Sequence, residues 1–173
     1  RFILDTGYQW GEWLEPDADM KNVILKNMFT PDAEVATAYF AYSAKVAGEM
    51  ARLLGRDDEA VEYAELHRRV SAAYRTEFLP DGLPAERDRQ ARYVRPIALD
   101  LVPDDEKAAL AAALADAIER FGYRLGTGFL STGLILFALS EHGQTDTAYR
   151  LLENRELPGW LYQVAAARRP CGR

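Results

Sequence analysis

Apolar residues recur at intervals of three and four along most of this chain, which is the spacing of one face of an α-helix. The first such run follows Thr30-Pro31-Asp32. Threonine can cap a helix, proline suits its first position and aspartate complements the positive end of its dipole. Gly55 can end the helix in a left-handed conformation. The pattern predicts a first helix over residues 31–54.

Five further helices are predicted from the same spacing and from their start and stop residues. They run from Asp57 or Asp58 to the stop at Leu79-Pro80, from Gln90 to Leu101, from Pro103 to Gly122, from Leu134 to Leu139 with Gly143 as the stop, and from Thr145 to Leu152. Pro96 falls inside the third pattern, so we expect it to kink that helix or to move its start. Only residues 1–4 and 160–164 have the aromatic or β-branched character of extended chain. The predicted fold class is all-α.

Six helices in three antiparallel hairpins are typical of two architectures. One is a helical solenoid, and the other is part of an α/α toroid, in which paired inner and outer helices close into a ring. A solenoid requires self-similarity at a fixed period. The predicted helix starts are unevenly spaced, so the pattern favours the toroid.

Composition excludes several classes of function. The 173 residues carry 27 acidic and 21 basic side chains, a formal net charge of −6, which argues against binding to nucleic acid or anionic lipid. The longest apolar stretches, such as residues 134–139, are far shorter than the roughly 20 residues of a membrane span. Cys171 is the single cysteine, so neither an internal disulfide nor a cysteine-based metal site is expected. We predict no metal and no cofactor.

The segment from Asp5 to Pro16 is the least helix-like part of the chain. It holds two of the three tryptophans and several carboxylates on a loop interrupted by glycines. Loops on rigid scaffolds carry binding groups, and flat aromatic rings beside carboxylates suit the apolar faces and hydroxyls of a sugar. The alternative is structural, with both tryptophans filling the core and the glutamates capping helices or facing water.

Several sequence blocks together carry a resemblance to a known family. They are Trp10-Gly11-Glu12-Trp13-Leu14 with Glu15-Pro16, Val35 to Tyr39, Gln90 to Val94, Leu125 to Thr132, Leu139 to Gly143, Ala148 to Leu152 and Pro158-Gly159-Trp160-Leu161. In this order and approximate spacing they resemble bacterial α-L-rhamnosidases of the six-hairpin glycosidase type. The resemblance covers nearly all of residues 1–164.

This resemblance implies an (α/α)6 toroid and hydrolysis of terminal α-L-rhamnose by inversion. Inverting glycosidases use an acid and a base, two carboxyl groups roughly 6.5 to 9.5 Å apart. In the family, the acid is the glutamate of an Arg-Asp-Glu block before this region, and the base is a glutamate after a Gly-Ala-Thr-Thr block that follows the Trp160-type segment. Neither block occurs here. We therefore predict no catalytic residue within the chain, and no activity of the chain alone.

The resemblance implies that the chain instead contributes substrate-binding residues for a small-molecule or oligosaccharide rhamnoside. We expect Trp10 and Trp13 to form an aromatic wall and Glu12 to bond sugar hydroxyls. All three are expected to be partly exposed and to face one cavity with Gly128 and Trp160, although core packing explains Trp160 equally well. Another six-hairpin carbohydrate enzyme and a non-catalytic helical scaffold stay as alternatives.

These interpretations divide the chain into three parts. Residues 1–30 form the aromatic and acidic loop, residues 31–164 form the helical hairpins, and residues 165–173 form a tail that departs from the family. The abrupt change to arginine, alanine and proline after Val164 suggests a change of reading frame, and we expect the tail to be exposed and poorly ordered. The chain begins with Arg1 and no secretion signal is visible, so we expect the parent chain to begin upstream.

Overall fold

The computed structural model describes residues 2–18 and 32–167, and within these ranges helices are the only regular secondary structure. The helices are α1 (Ala33–Leu53), α2 (Asp57–Phe78), α3 (Gln90–Ala98), α4 (Asp104–Arg120), α5 (Ile135–Ser140), α6 (Thr145–Glu153) and α7 (Trp160–Ala167), with a 3₁₀ turn at Pro80–Gly82. The predicted all-α class is confirmed.

Short-range signals determine where the helices begin and end. Asp32 caps α1, its side chain accepting a hydrogen bond from the backbone nitrogen of Val35 at 3.4 Å. The predicted start at Thr30 and Pro31 lies outside the described residues. Gly55 follows α1 with a φ of +71°, as predicted for a left-handed helix end.

Helix α3 begins at Gln90 as predicted, contains Pro96 and ends at Ala98, before the predicted end at Leu101. The kink expected at Pro96 stays a prediction. One prediction about local structure is wrong. Residues 160–164 are helical and not extended, because they form the first part of α7. The alanines at 165–167 continue that helix, and alanine has the highest helix propensity of all residues. These three residues are exposed, and the rest of the predicted tail lies outside the described residues.

The helices pack as three successive hairpins in two layers. The hairpins are formed by α1 with α2, by α3 with α4 and by α5 with α6. One layer is formed by α1, α3 and α5, in which α3 contacts both of the others. In the other layer, α4 contacts α6. The largest fully buried apolar side chains between the layers are Tyr74, Tyr93, Leu101, Leu110, Leu114, Ile118, Ile135, Leu139 and Leu151. This arrangement agrees with the predicted hairpins of an (α/α)6 toroid.

The hairpin packing places the N-terminal ends of α1, α3 and α5 at one end of the domain. The N-terminal loop (residues 2–18) lies across this end and contacts all three. Leu4 donates its backbone N–H to Thr37 of α1, Asp17 accepts from the first backbone N–H of α3, and Glu12 accepts from Ser131, which lies just before α5. The fold therefore collects the loop and three helix N-termini in one region. No helix in the described ranges is long and apolar enough to cross a membrane.

Candidate functional site

An open apolar pocket of about 420 Å³ lies between the N-terminal loop and the segment before α5. We call it the aromatic pocket, and it is lined by Trp10, Gly11, Trp13, Leu14, Phe129 and Leu130. The Trp10 side chain is 65% exposed, that of Trp13 39% and that of Phe129 83%. The structural alternative, in which both tryptophans fill the core, is therefore wrong.

The two tryptophan rings pack against each other within the loop at an interplanar angle of 46°. Their ring centroids are 5.9 Å apart, and Trp13 donates its indole N–H to the backbone oxygen of Trp10 at 2.6 Å. The ring of Tyr8 meets that of Trp10 edge to face at 5.0 Å. The loop thus presents a preformed aromatic surface to solvent.

Gly128 lies at a close approach between the two sides of the pocket. The backbone nitrogen of Phe129 donates to the backbone oxygen of Trp13 at 2.9 Å. A Cβ atom at Gly128 would lie 2.2 Å from that same oxygen and 2.7 Å from Cγ of Glu12. The buried Gly128 therefore allows the two loops to touch; its predicted role in substrate binding stays a prediction.

Glu12 is fully buried, so the expectation that it is partly exposed is wrong. Its carboxylate points into the protein, where Oε1 accepts from the backbone nitrogen of Ser131 at 2.8 Å and Oε2 accepts from the Ser131 hydroxyl at 2.6 Å. Oε2 also accepts from the guanidinium of Arg95. Because these donors occupy the carboxylate, Glu12 holds the loop in place from below the pocket.

A row of three arginines that was not predicted from the sequence lies at the start of α3 and along one of its faces. Arg89, Arg92 and Arg95 are spaced by three residues, which places their side chains on the same side of the helix. We call them the arginine row. Each meets carboxylates from other parts of the chain: Arg89 contacts Glu15 and Asp17, Arg92 contacts Asp32, Glu34 and Glu86, and Arg95 contacts Glu12 and Glu34. The three-residue spacing of these arginines is the feature of the sequence that could have indicated the row.

Glu34 connects α1 to two members of the arginine row and to α2. Tyr74 donates its hydroxyl to one oxygen of the carboxylate. Burial opposes ionisation of Glu34, but the positive charges of Arg95 and Arg92 outweigh it and hold the pKa of this carboxyl below its ordinary value. Burial likewise opposes the charge of Arg95, but Glu34 and Glu12 outweigh it and keep the pKa of Arg95 well above its usual range. This part of the network is ionised at neutral pH.

The pKa values of Glu15 and Asp17 are raised, in contrast to the lowered pKa of Glu34. Burial raises the pKa of Glu15 to about 7, more than Arg89 lowers it, and burial raises the pKa of Asp17 to about 6. Arg89 donates to Glu15 Oε2 at 2.5 Å, whereas Oε1 is buried and has no hydrogen-bond partner among the described residues. An ionised carboxylate with one unsolvated oxygen is unfavourable, so protonation of Glu15 near neutral pH is consistent with its surroundings.

Trp160 lies apart from the other predicted site residues. It lines a separate groove of about 480 Å³ together with residues of α5 and α6, such as Phe137, Ala148 and Tyr149. The structure therefore does not bring Trp160 into the cavity that holds Trp10 and Trp13, and its predicted role in substrate binding stays a prediction. Within the described ranges, no three His, Cys, Asp or Glu side chains are arranged to hold a metal ion.

The raised pKa of Glu15 predicts a pH dependence of stability. Protonated Glu15 stabilises the fold below a pH of about 4.5, and this contribution is lost as the pH rises through about 7. Relative to the wild type, Glu15→Gln should therefore become more stable across this interval, by about 1 to 3 kcal/mol, since one pKa unit corresponds to ~1.4 kcal/mol. Urea unfolding followed by circular dichroism at several pH values measures the difference. Glu62→Gln, an exposed change on α2, is the control; a pH-independent effect of Glu15→Gln contradicts the prediction.

The close approach at Gly128 predicts that a single methyl group disturbs the aromatic pocket. Gly128→Ala should reduce the free energy of unfolding by about 1 to 3 kcal/mol and change the tryptophan emission spectrum, because the new Cβ forces the two loops apart. Gly133→Ala is the matched control, since a Cβ there meets no atom within 4 Å. Equal effects of Gly128→Ala and Gly133→Ala on stability and emission would contradict this prediction.

Comparison with known proteins connects this geometry to a family. Residues 4–168 match the bacterial alpha-L-rhamnosidase 6 hairpin glycosidase domain. The α-L-rhamnosidase of Streptomyces avermitilis is 37% identical over 162 residues, which cover 94% of this chain and 15% of that protein. That of Formosa agariphila is 31% identical, over 90% of this chain and 16% of the relative.

Solved structures agree with the sequence comparison. The crystal structure of the Streptomyces avermitilis α-L-rhamnosidase complexed with L-rhamnose has a TM-score of 0.79 at 36% identity, over 94% of this chain and 15% of the other. The crystal structure of native α-L-rhamnosidase from Aspergillus terreus has a TM-score of 0.81 at 29% identity. This match covers 92% of this chain and 18% of the other. The chain thus spans about 15% of the length of the first of these relatives. It belongs to the six-hairpin glycosidase domain family of the bacterial α-L-rhamnosidases.

Proposed function

We propose that this chain forms a sugar-binding part of the catalytic domain of a glycosidase that removes terminal α-L-rhamnose with inversion. The observation that carries the proposal is the position of the aromatic pocket. Its exposed rings, those of Trp10, Trp13 and Phe129, lie where α1, α3 and α5 begin, in a chain of the rhamnosidase family. Rings on a rigid scaffold are suited to repeated binding of one ligand class.

The chemistry of the lining suits a deoxy sugar. All six lining residues are tryptophan, phenylalanine, leucine or glycine. Aromatic faces pack against the C–H faces of a pyranose ring, and the methyl group of L-rhamnose adds apolar surface that such a lining can cover. Sugar hydroxyls need polar partners, which we assign to other segments of the parent polypeptide.

The same pocket supplies no acid and base in its described lining. Inversion requires one carboxylic acid at the leaving oxygen and one carboxylate for water, on opposite sides of the scissile bond. The nearest carboxyls on the loop are those of Glu12 and Glu15, which are buried and bonded to Arg95 and Arg89. We therefore assign both catalytic carboxyls to segments other than this chain.

Sugar binding tests the first part of the proposal. L-Rhamnose should change the tryptophan emission of the 173-residue chain in a saturable way, and Trp13→Ala should weaken this binding about tenfold or more. Tyr149→Ala is the control, because Tyr149 is an exposed aromatic residue of the separate groove. Equal weakening by both variants contradicts the assignment of the pocket. Saturation by D-glucose at the same affinity favours a different six-hairpin enzyme, and absence of any saturable response contradicts binding by this chain.

Hydrolysis tests the second part. The purified chain should release no chromophore from an aryl α-L-rhamnoside above the uncatalysed rate, because an acid and a base each contribute roughly 10² to 10⁴ in rate and we assign both to other segments. The measurement is the absorbance of the released phenol against a buffer blank. Turnover that is lost in Glu12→Gln would instead place the catalytic acid in the N-terminal loop.

A further inference from the structure

One guanidinium contacts all three hairpins at the end where the aromatic pocket lies. The Nε and Nη2 atoms of Arg95 donate to Glu34 at the start of α1, at 3.0 and 2.5 Å. The Nη1 atom donates to Glu12 and, at 3.2 Å, to the hydroxyl of Ser131 just before α5. The Arg95 side chain is fully buried. The acceptor groups of Glu34, Glu12 and Ser131 therefore bond to this guanidinium in place of water.

Glu12 links Arg95 to both sides of the pocket. Its neighbour Trp13 belongs to one side, and Phe129 and Leu130, immediately before Ser131, belong to the other. Both oxygens of the Glu12 carboxylate accept hydrogen bonds from Ser131. The hydrogen bonds between Glu12 and Ser131, together with the backbone bond from Phe129 to Trp13, therefore hold the two sides at a defined separation.

Apolar burial does little to hold this part of the loop. Trp10, Leu14 and Phe129 are all exposed, so their side chains gain little from leaving water. The contacts that give the loop a single position are instead the buried polar ones beneath it. Buried ionic contacts of this kind favour one arrangement over its alternatives, because any displacement leaves a charge without its partner.

We propose that Arg95 is a positioning residue for sugar binding, which fixes the shape of the aromatic pocket by holding Glu12 against Ser131. Arg95 itself does not touch the sugar, and its effect passes through the loop. The inference rests on the proposed function, since it takes the aromatic pocket as the place where the sugar binds.

The chemistry of the site requires an arginine. A planar guanidinium can donate in parallel to both oxygens of Glu34 and still direct its remaining nitrogen to Glu12. The single ammonium of a lysine cannot span both carboxylates. Arg92 offers an internal comparison: it lies one turn earlier on the same face and donates to Glu34 and Asp32, while the contacts found for it in the described ranges do not include Glu12 or Ser131.

The test compares Arg95→Lys with Arg92→Lys in a Trp160→Phe background of the 173-residue chain, so that fluorescence reports only Trp10 and Trp13. Far-ultraviolet circular dichroism checks that each variant is folded. Arg95→Lys should raise the dissociation constant for L-rhamnose about tenfold and make the two tryptophans easier to quench with acrylamide. Arg92→Lys should lower the melting temperature while leaving both values close to those of the background protein.

The outcomes separate this inference from the proposed function. Equal effects of both lysine variants, or unchanged quenching in folded Arg95→Lys, overturn the inference. If Arg95→Lys is unfolded, Ser131→Ala decides, because it removes the hydroxyl that donates to Glu12 and accepts from Arg95 and leaves the charged pairs of Arg95 in place: increased quenching and weaker binding support the inference, and unchanged values overturn it. If the wild-type chain does not bind L-rhamnose, the proposed function fails, and the quenching comparison still decides whether Arg95 positions the loop.

Discussion

A buried guanidinium between two buried carboxylates is the constraint on which the pocket end of this domain depends. Moving ions out of water is unfavourable, and their mutual attraction compensates only when the geometry is good and the remaining donors and acceptors are satisfied. Arg95 meets both conditions, with Glu34 in a parallel two-point contact and Glu12 and Ser131 at its other end. Because these partners come from the N-terminal loop, from α1 and from the segment before α5, their positions are coupled.

The interior between the helix layers and the pocket end are therefore stabilised by different interactions. Between the layers, close-packed apolar side chains such as Leu114 and Ile135 hold the hairpins together without regard to charge. At the pocket end, three helix N-termini meet a loop that is rich in carboxylates, and helix dipoles favour that negative charge. The arginine row neutralises part of the charge and fixes which carboxylate pairs with which helix. This division leaves the aromatic rings free to face solvent, since they are not needed for the core.

The network also contains two kinds of carboxyl group. Glu34 is surrounded by donors and by two guanidinium groups, so it remains charged even though it is buried. Arg89 donates to one oxygen of Glu15, the other oxygen has no hydrogen-bond partner within residues 2–18 and 32–167, and burial raises the pKa of Glu15 to about 7. Glu34 thus stays charged near neutral pH, whereas Glu15, beside Arg89 at the edge of the network, gains or loses a proton there.

The sequence by itself determined the helical class, most helix ends, the three hairpins and the family, because capping, glycine stops and apolar spacing act within a few residues of one another. It also placed Trp10 and Trp13 on a loop with binding chemistry. Only the tertiary structure decided that Glu12 is buried, that the arginine row is interior and that Trp160 lies in another groove. The reason is separation along the chain: Glu12 meets Arg95 across 83 positions and Ser131 across 119. An arginine on a helix face looks solvated until the folded chain brings a carboxylate against it.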